Sequence, residues 1–114
     1  MLVQVRPSEL QDWLASLGPH AATALLLDVR EPWEVQAASV APSGFELATV
    51  PMNRVAAWVA QIDPERPVAC LCHHGTRSLR VAMFLAQSGF ERVANVAGGI
   101  DAWSQELDAG VPRY

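Results

Sequence analysis

Apolar residues recur along this chain with two periods. Leu10, Trp13, Leu14 and Leu17 fall at helical spacing after Pro7-Ser8-Glu9. That predicts a first helix with Ser8 as its N-cap and Gly18-Pro19 as its stop. Ala24-Leu25-Leu26-Leu27-Asp28-Val29 is a short continuous apolar run that ends in a polar cluster, as a buried strand of a parallel sheet does. Pro32-Trp33-Glu34-Val35 predicts a short helical turn with proline near its start. The pattern is weakest over 37–49, where Pro42-Ser43-Gly44 reads as a turn, and Ala48-Thr49-Val50 next to it reads as a short strand. Asn53 is placed to cap a helix over 54–62 whose single face is Val55, Trp58, Val59 and Ile62, with Asp63-Pro64 as the stop. Pro67-Val68-Ala69-Cys70-Leu71 is a second buried strand. A helix starting near Arg77 has Leu79, Ala82, Met83 and Ala86 on one side and Gly89 as its terminator. Val93-Ala94-Asn95-Val96 is another strand, Gly98-Gly99 a turn, and Ile100 to Leu107 a last helix.

Strands alternating with helices predict a parallel α/β sheet. In such sheets ligands bind at the carboxyl ends of the strands, and the polar loop 72–76 follows one of these ends. The chain has 114 residues, of which 51% are hydrophobic and 18% charged, so one globular domain over 1–114 is expected rather than a disordered segment. No apolar run approaches the roughly 20 residues that span a bilayer. Met1-Leu2-Val3-Gln4 shows no basic and apolar leader, so the expected compartment is the cytoplasm. Net charge is −4, and all eight basic residues are arginine. This acidic balance makes a poor nucleic-acid footprint.

The two cysteines are Cys70 and Cys72. Residues this close rarely satisfy disulfide geometry, so chemistry or burial is the expectation for each. Cys70 lies inside the apolar strand and reads as packing. Cys72 opens the segment Cys72-His73-His74-Gly75-Thr76-Arg77-Ser78, which runs straight into a helix start. Unpaired N–H groups at a helix N-terminus, a glycine that turns neighbouring N–H groups inward, and the permanent charge of Arg77 all favour a thiolate. The same cradle would hold a second sulfur on Cys72, because a persulfide is also an anion. His73 and His74 are expected at the rim as donors to an anionic substrate, not as metal ligands: adjacent positions do not converge on one ion, and the usual zinc spacings are absent. Thiol phosphatases place five residues between Cys and Arg. Cys72 and Arg77 have four between them, and Cys70 and Arg77 six, so that chemistry does not fit.

Cys-x-x-Gly-x-Arg-Ser at 72–78 resembles the active-site loop of rhodanese-type sulfurtransferases. Leu27-Asp28-Val29-Arg30-Glu31-Pro32-Trp33-Glu34 resembles the upstream signature of that family. Ser88-Gly89-Phe90, Val93-Ala94-Asn95-Val96 and Gly98-Gly99-Ile100-Asp101-Ala102-Trp103 resemble its closing segment, and Val5 to Leu10 its opening. The resemblance implies a single rhodanese-like domain, a five-stranded parallel sheet flanked by helices on both faces. It implies Cys72 as the carrier of a sulfane sulfur, taken from thiosulfate or a persulfide and passed to cyanide or a thiol, with no cofactor. The N–H groups of residues 73–77 would cradle the persulfide; His73, His74, Gly75, Thr76 and Arg77 would meet the donor. Arg30 is expected to brace the loop or face the pocket, with Asp28 on the opposite side of the strand end. Gly98, Gly99, Trp103 and Trp33 read as structural. Relatives with one more loop residue are phosphatases. The stretch Ala38 to Phe45 and Thr49-Val50-Pro51-Met52 departs from the family pattern, which leaves the pocket rim on that side open. The implied partners are a small-molecule sulfur donor and a sulfur-accepting protein or thiol, with no nucleic acid and no membrane. The alternatives are a sulfur-relay or interaction module with little thiosulfate activity, and a redox switch through Cys70 and Cys72.

Overall fold

A computed structural model describes residues 2–114; Met1 lies outside the described residues. Five strands form one parallel sheet: β1 (Leu2–Val5), β2 (Leu25–Asp28), β3 (Glu46–Thr49), β4 (Val68–Leu71) and β5 (Val93–Val96). Their order is β1-β5-β4-β2-β3, and every pairing is parallel. All residues of β2, β4 and β5 are buried. This explains their continuous apolar runs: a central parallel strand has no solvent face.

Side chains alternate between two layers. Leu26, Ala69, Leu71, Ala94 and Val96 point to a core shared with Leu10 of α1 (Leu10–Ser16) and with Ile100 and Trp103 of α5 (Gly99–Glu106). Leu25, Leu27, Val68, Cys70 and Val93 point the other way. There they meet Val55 of α3 (Val55–Val59) and Val81, Ala82 and Leu85 of α4 (Thr76–Gln87). Helices therefore cover both faces. No helix among the described residues is long and apolar enough to cross a membrane.

The strand order places the site. The strand after β2 lies on one side of it, and the strand after β4 lies on the opposite side. The carboxyl ends of β2 and β4 therefore flank a crevice, the switch point at which such sheets bind ligands. The short helix α2 (Pro32–Ala37) follows β2, and the Cys72 loop follows β4.

Several local expectations are corrected. Ser8 caps nothing: residues 7–9 form a 3-10 turn, and its hydroxyl donates to Glu106 at 3.1 Å. Asn53 likewise sits inside a 3-10 turn, Met52–Arg54, and the α-helix that follows is only five residues long. The strand near 48–50 begins earlier, at Glu46. It is an exposed edge whose alternation is too weak to mark its register. β1, also an edge strand, carries no pattern that its four residues reveal. Trp33 does not pack in the interior; it is 65% exposed. The buried face of α4 is Ser78, Val81, Ala82 and Leu85, one residue behind the predicted set, and Met83 is largely exposed. The helix is turned to bring Ser78 inward, where its polar groups hold the loop.

This rotation makes a direct prediction. Leu85→Ala should cost about 2–5 kcal/mol, the usual penalty of a buried cavity. Met83→Ala should stay within about 0.5 kcal/mol. Urea unfolding of both variants distinguishes this register from the predicted one.

Candidate active site

Cys72 directly follows β4, and its side chain is buried. The chain turns back beneath it through Gly75, whose φ of +101° suits glycine and which is the N-cap residue of α4. This turn brings two backbone donors onto the sulfur. The Gly75 N–H lies 3.1 Å from Sγ and the Ser78 N–H 3.3 Å. Ser78 is the third residue of α4, the position whose N–H a capping side chain normally satisfies. The thiol thus takes the place of a cap at the positive end of a three-turn helix.

Two elements fasten the loop from below. On β5, the buried Asn95 accepts from the Ser78 hydroxyl at 2.5 Å and donates to the Gly75 carbonyl at 3.1 Å; its amide also reaches Gln4 at 2.8 Å. The start of α5 presses against the loop backbone. Ile100 N–H donates to the Cys72 carbonyl at 2.8 Å and Asp101 N–H to that of His73 at 3.1 Å. Gly99 permits this contact, because a Cβ there would stand 2.4 Å from the His73 oxygen and 2.5 Å from the Cys72 oxygen.

From the side, α2 supplies a carboxylate. Glu34 is buried and takes both terminal nitrogens of Arg77, at 2.6 and 2.7 Å. The fork geometry makes this a strong charge-assisted pair. Glu34 also accepts from the Glu31 N–H and the Tyr114 hydroxyl. Bonding to Arg77 above all holds its carboxyl down at about 2. Arg77 is therefore not a free cation beside the sulfur. Its charge is matched by Glu34, the last residue of the segment Leu27 to Glu34 that resembles the family's upstream signature.

Arg30 is corrected on two counts. It does not lie opposite Asp28: residues two apart on an extended strand share a side, and the guanidinium pairs with that carboxylate at 2.7 and 2.9 Å. Nor does its guanidinium keep a donor for a substrate. Nε goes to Asp28, one terminal nitrogen to Asp28 and the Ala38 carbonyl, and the other to the Glu34 carbonyl and the Tyr114 hydroxyl. All five donors are spent inside the fold, and the side chain has no exposed surface. Arg30 braces the site.

The remaining loop residues form a rim. His73 is sandwiched between the rings of His74 and Tyr114, each 3.9 Å from its own. Its Nε2 is the one buried side-chain polar atom among the described residues that has no partner. Thr76 and His74 are exposed. Cys70 is fully buried, and burial pushes its thiol well up from the ordinary range, so it stays protonated. Asn95, Glu34 and Tyr114 were not singled out from the sequence as site residues. A polar Asn inside a buried strand is the signal that marks the first of them; for Tyr114 the sequence carries none.

Comparison with known proteins agrees with this fold. The rhodanese-like domain family model matches residues 6–106. A chloroplastic rhodanese-like/PpiC domain-containing protein of Arabidopsis thaliana is 38% identical over 95 residues, which cover 80% of this chain but 30% of that protein. The chain thus spans about a third of that relative's length. A rhodanese-like domain protein from Staphylococcus aureus superposes with a TM-score of 0.71 over 97% of both chains, at 23% identity, a likeness of fold. The polysulfide-sulfur transferase of Wolinella succinogenes superposes with a TM-score of 0.66 at 26% identity, over 99% of this chain and 78% of that one.

Two outcomes follow from the charge network. Arg30→Ala strands the buried Asp28 carboxylate and should cost about 3–5 kcal/mol in urea unfolding, which loss of a mere substrate contact would not do. The low carboxyl pKa of Glu34 stabilises the fold above about pH 5, and that contribution is lost as pH falls from about 4.5 toward 2. Because Arg77 is partly open to water, about 2 kcal/mol is expected at neutral pH. The stability gap between wild type and Glu34→Gln should be full from about pH 5 upward and close only as pH falls to about 2.

Proposed function

This chain belongs to the rhodanese-like domain family, and we propose that it is a sulfurtransferase that carries sulfane sulfur on Cys72. The observation that carries this reading is the pair of N–H groups, from Gly75 and Ser78, aimed at a thiol sulfur on the N-terminus of α4. These donors suit an anionic sulfur, whether thiolate or persulfide. The likeness to a polysulfide-sulfur transferase supports the same chemistry.

In the reaction proposed, the Cys72 thiolate attacks the outer sulfur of thiosulfate or of a persulfide. The donor S–S bond breaks, and sulfite or a thiolate leaves with the electron pair. A nucleophilic acceptor then takes the outer sulfur from Cys72: cyanide becomes thiocyanate, a thiol becomes a persulfide, and the thiolate is regenerated. This is double displacement through a covalent intermediate. Gly75, Thr76 and the Ser78 N–H shape the cradle, and Arg77 is positioned by Glu34. His73 and His74 stand at the rim, where imidazole N–H groups would meet an anionic donor. Two free thiols fit a reducing compartment such as the cytoplasm. Cys70 plays no part, since a thiol held protonated in the core is a poor nucleophile.

Intact mass after incubation with thiosulfate tests this. Wild type and Cys70→Ala should each gain one sulfur, about 32 Da, and lose it to cyanide. Cys72→Ser should gain nothing. A gain that survives Cys72→Ser, or none with thiosulfate or a persulfide donor, overturns the reading.

A further inference from the structure

Nearly every arginine of this chain is matched by a carboxylate, and the exceptions share one place. Six of the eight are ion-paired. Among the described residues, the guanidiniums of Arg54 and Arg80 have neither an ion pair nor a hydrogen-bond partner. Both side chains are exposed. Arg80 lines a groove between α3 and α4 together with Met52, Val55, Ala56, Val81 and Phe84. Arg54 immediately precedes Val55 and Ala56. None of the lining residues is acidic. The chain as a whole carries a net charge of −4, so its unmatched positive charge is gathered beside this apolar groove.

The groove suits a side chain of another protein. Its volume is about 200 Å³, below the roughly 300–1,000 Å³ of pockets that enclose a small molecule. Phe84 is 39% exposed at its edge, and Met83 beside it 48%. Phenylalanine, methionine and arginine are enriched where proteins meet. The groove also adjoins the site: Met52 lines both it and the cleft that Arg77 borders. Arg77, Arg80 and Phe84 lie along one face of α4. Seven residues separate the first from the last, or about 10 Å of helix axis. That distance fits well inside one protein interface of about 800 Å² per partner. An acidic partner is repelled by the net charge of the chain and meets unmatched positive charge here, which fixes where it docks.

We propose that the groove between α3 and α4 docks the protein that accepts sulfur from Cys72, and that this partner presents an apolar side chain flanked by carboxylates. This rests on the sulfurtransferase reading and names the partner of the same site. The partner's thiol first gives its proton to solvent. Its thiolate bonds to the outer sulfur of the Cys72 persulfide, the S–S bond breaks, and Cys72 leaves as a thiolate with the electron pair. The step is the same for any thiol; docking at Arg54, Arg80 and Phe84 decides which thiol arrives.

The probe is a helical peptide with two leucines one turn apart, glutamates beside them, and a cysteine on a glycine linker. A second peptide has lysine at each glutamate position, and a third has serine in place of the leucines. Cys72 is loaded from thiosulfate or a persulfide, the excess donor is removed, and transfer to each peptide at low salt is followed by mass. Each rate is divided by that peptide's rate with the neutral disulfide dithiodipyridine, which removes intrinsic thiol reactivity. The glutamate peptide should exceed the lysine peptide by about tenfold, and the preference should collapse at about 0.5 M salt. Arg54→Gln combined with Arg80→Gln should bring the ratio to about one. Phe84→Ser should erase the advantage of leucine over serine. Transfer to cyanide should be unchanged in these variants, and each ratio is read within one variant, so partial unfolding does not alter it. A glutamate-to-lysine ratio near one in wild type, a ratio unmoved by the arginine substitutions, or no advantage of leucine over serine overturns the docking surface while Cys72 still loads and yields sulfur to cyanide. Failure of Cys72 to load, read by intact mass, overturns the sulfurtransferase reading and the proposed docking with it.

Discussion

Two backbone N–H groups at the start of α4, those of Gly75 and Ser78, point at the Cys72 sulfur from 3.1 and 3.3 Å. An anion placed there meets fixed dipoles in place of mobile water, and nothing has to reorganise when charge appears on the sulfur. The arrangement holds only while three backbones meet within van der Waals limits: the loop, the start of α4 and the start of α5. A side-chain carbon at Gly99 would overlap the Cys72 and His73 carbonyls, and one at Gly75 would crowd Gly98. The site is built from main chain, and side chains act mainly to lock it.

Locking comes from two buried polar clusters on opposite sides of the loop. Asn95 joins the Gly75 carbonyl to the Ser78 hydroxyl, so the sheet dictates both the turn and the rotation of α4. On the other side Asp28, Arg30, Glu34, Arg77 and Tyr114 form one network of ion pairs and hydrogen bonds that joins the end of β2 to α2, to the loop and to Tyr114. Buried charges are tolerated here because each is matched and its donors are used. Rigidity is gained by pairing: Glu34 holds both terminal nitrogens of Arg77 and fixes the guanidinium beside the loop.

Much of this was legible in the residues. The runs 24–29, 67–71 and 93–96 announced central strands, because a strand buried on both sides needs little but apolar side chains. The segment Cys72 to Ser78 announced a thiol and the helix start that faces it. Legibility failed at the edges. β1 and β3 are short and open to solvent, so packing imposes little pattern on them. It failed also for the face of α4, where 78, 81, 82 and 85 share the periodicity of 79, 82, 83 and 86, and only the polar anchor of Ser78 selects between them.

By itself, then, the sequence determined the local chemistry: which central segments are strands, which thiol stands at a helix start, and which is sealed in a strand. These depend on period, turn residues and neighbours along the chain, all of which are local. Tertiary structure alone decided how the charges pair. Glu34 meets Arg77 across 43 positions, and Tyr114 meets Glu34 across 80 and Arg30 across 84. An arginine in a sequence is a charge of unknown use. Whether it reaches for a substrate or is consumed in a buried bridge depends on which carboxylate the fold brings within about 3 Å, and no spacing along the chain encodes that distance.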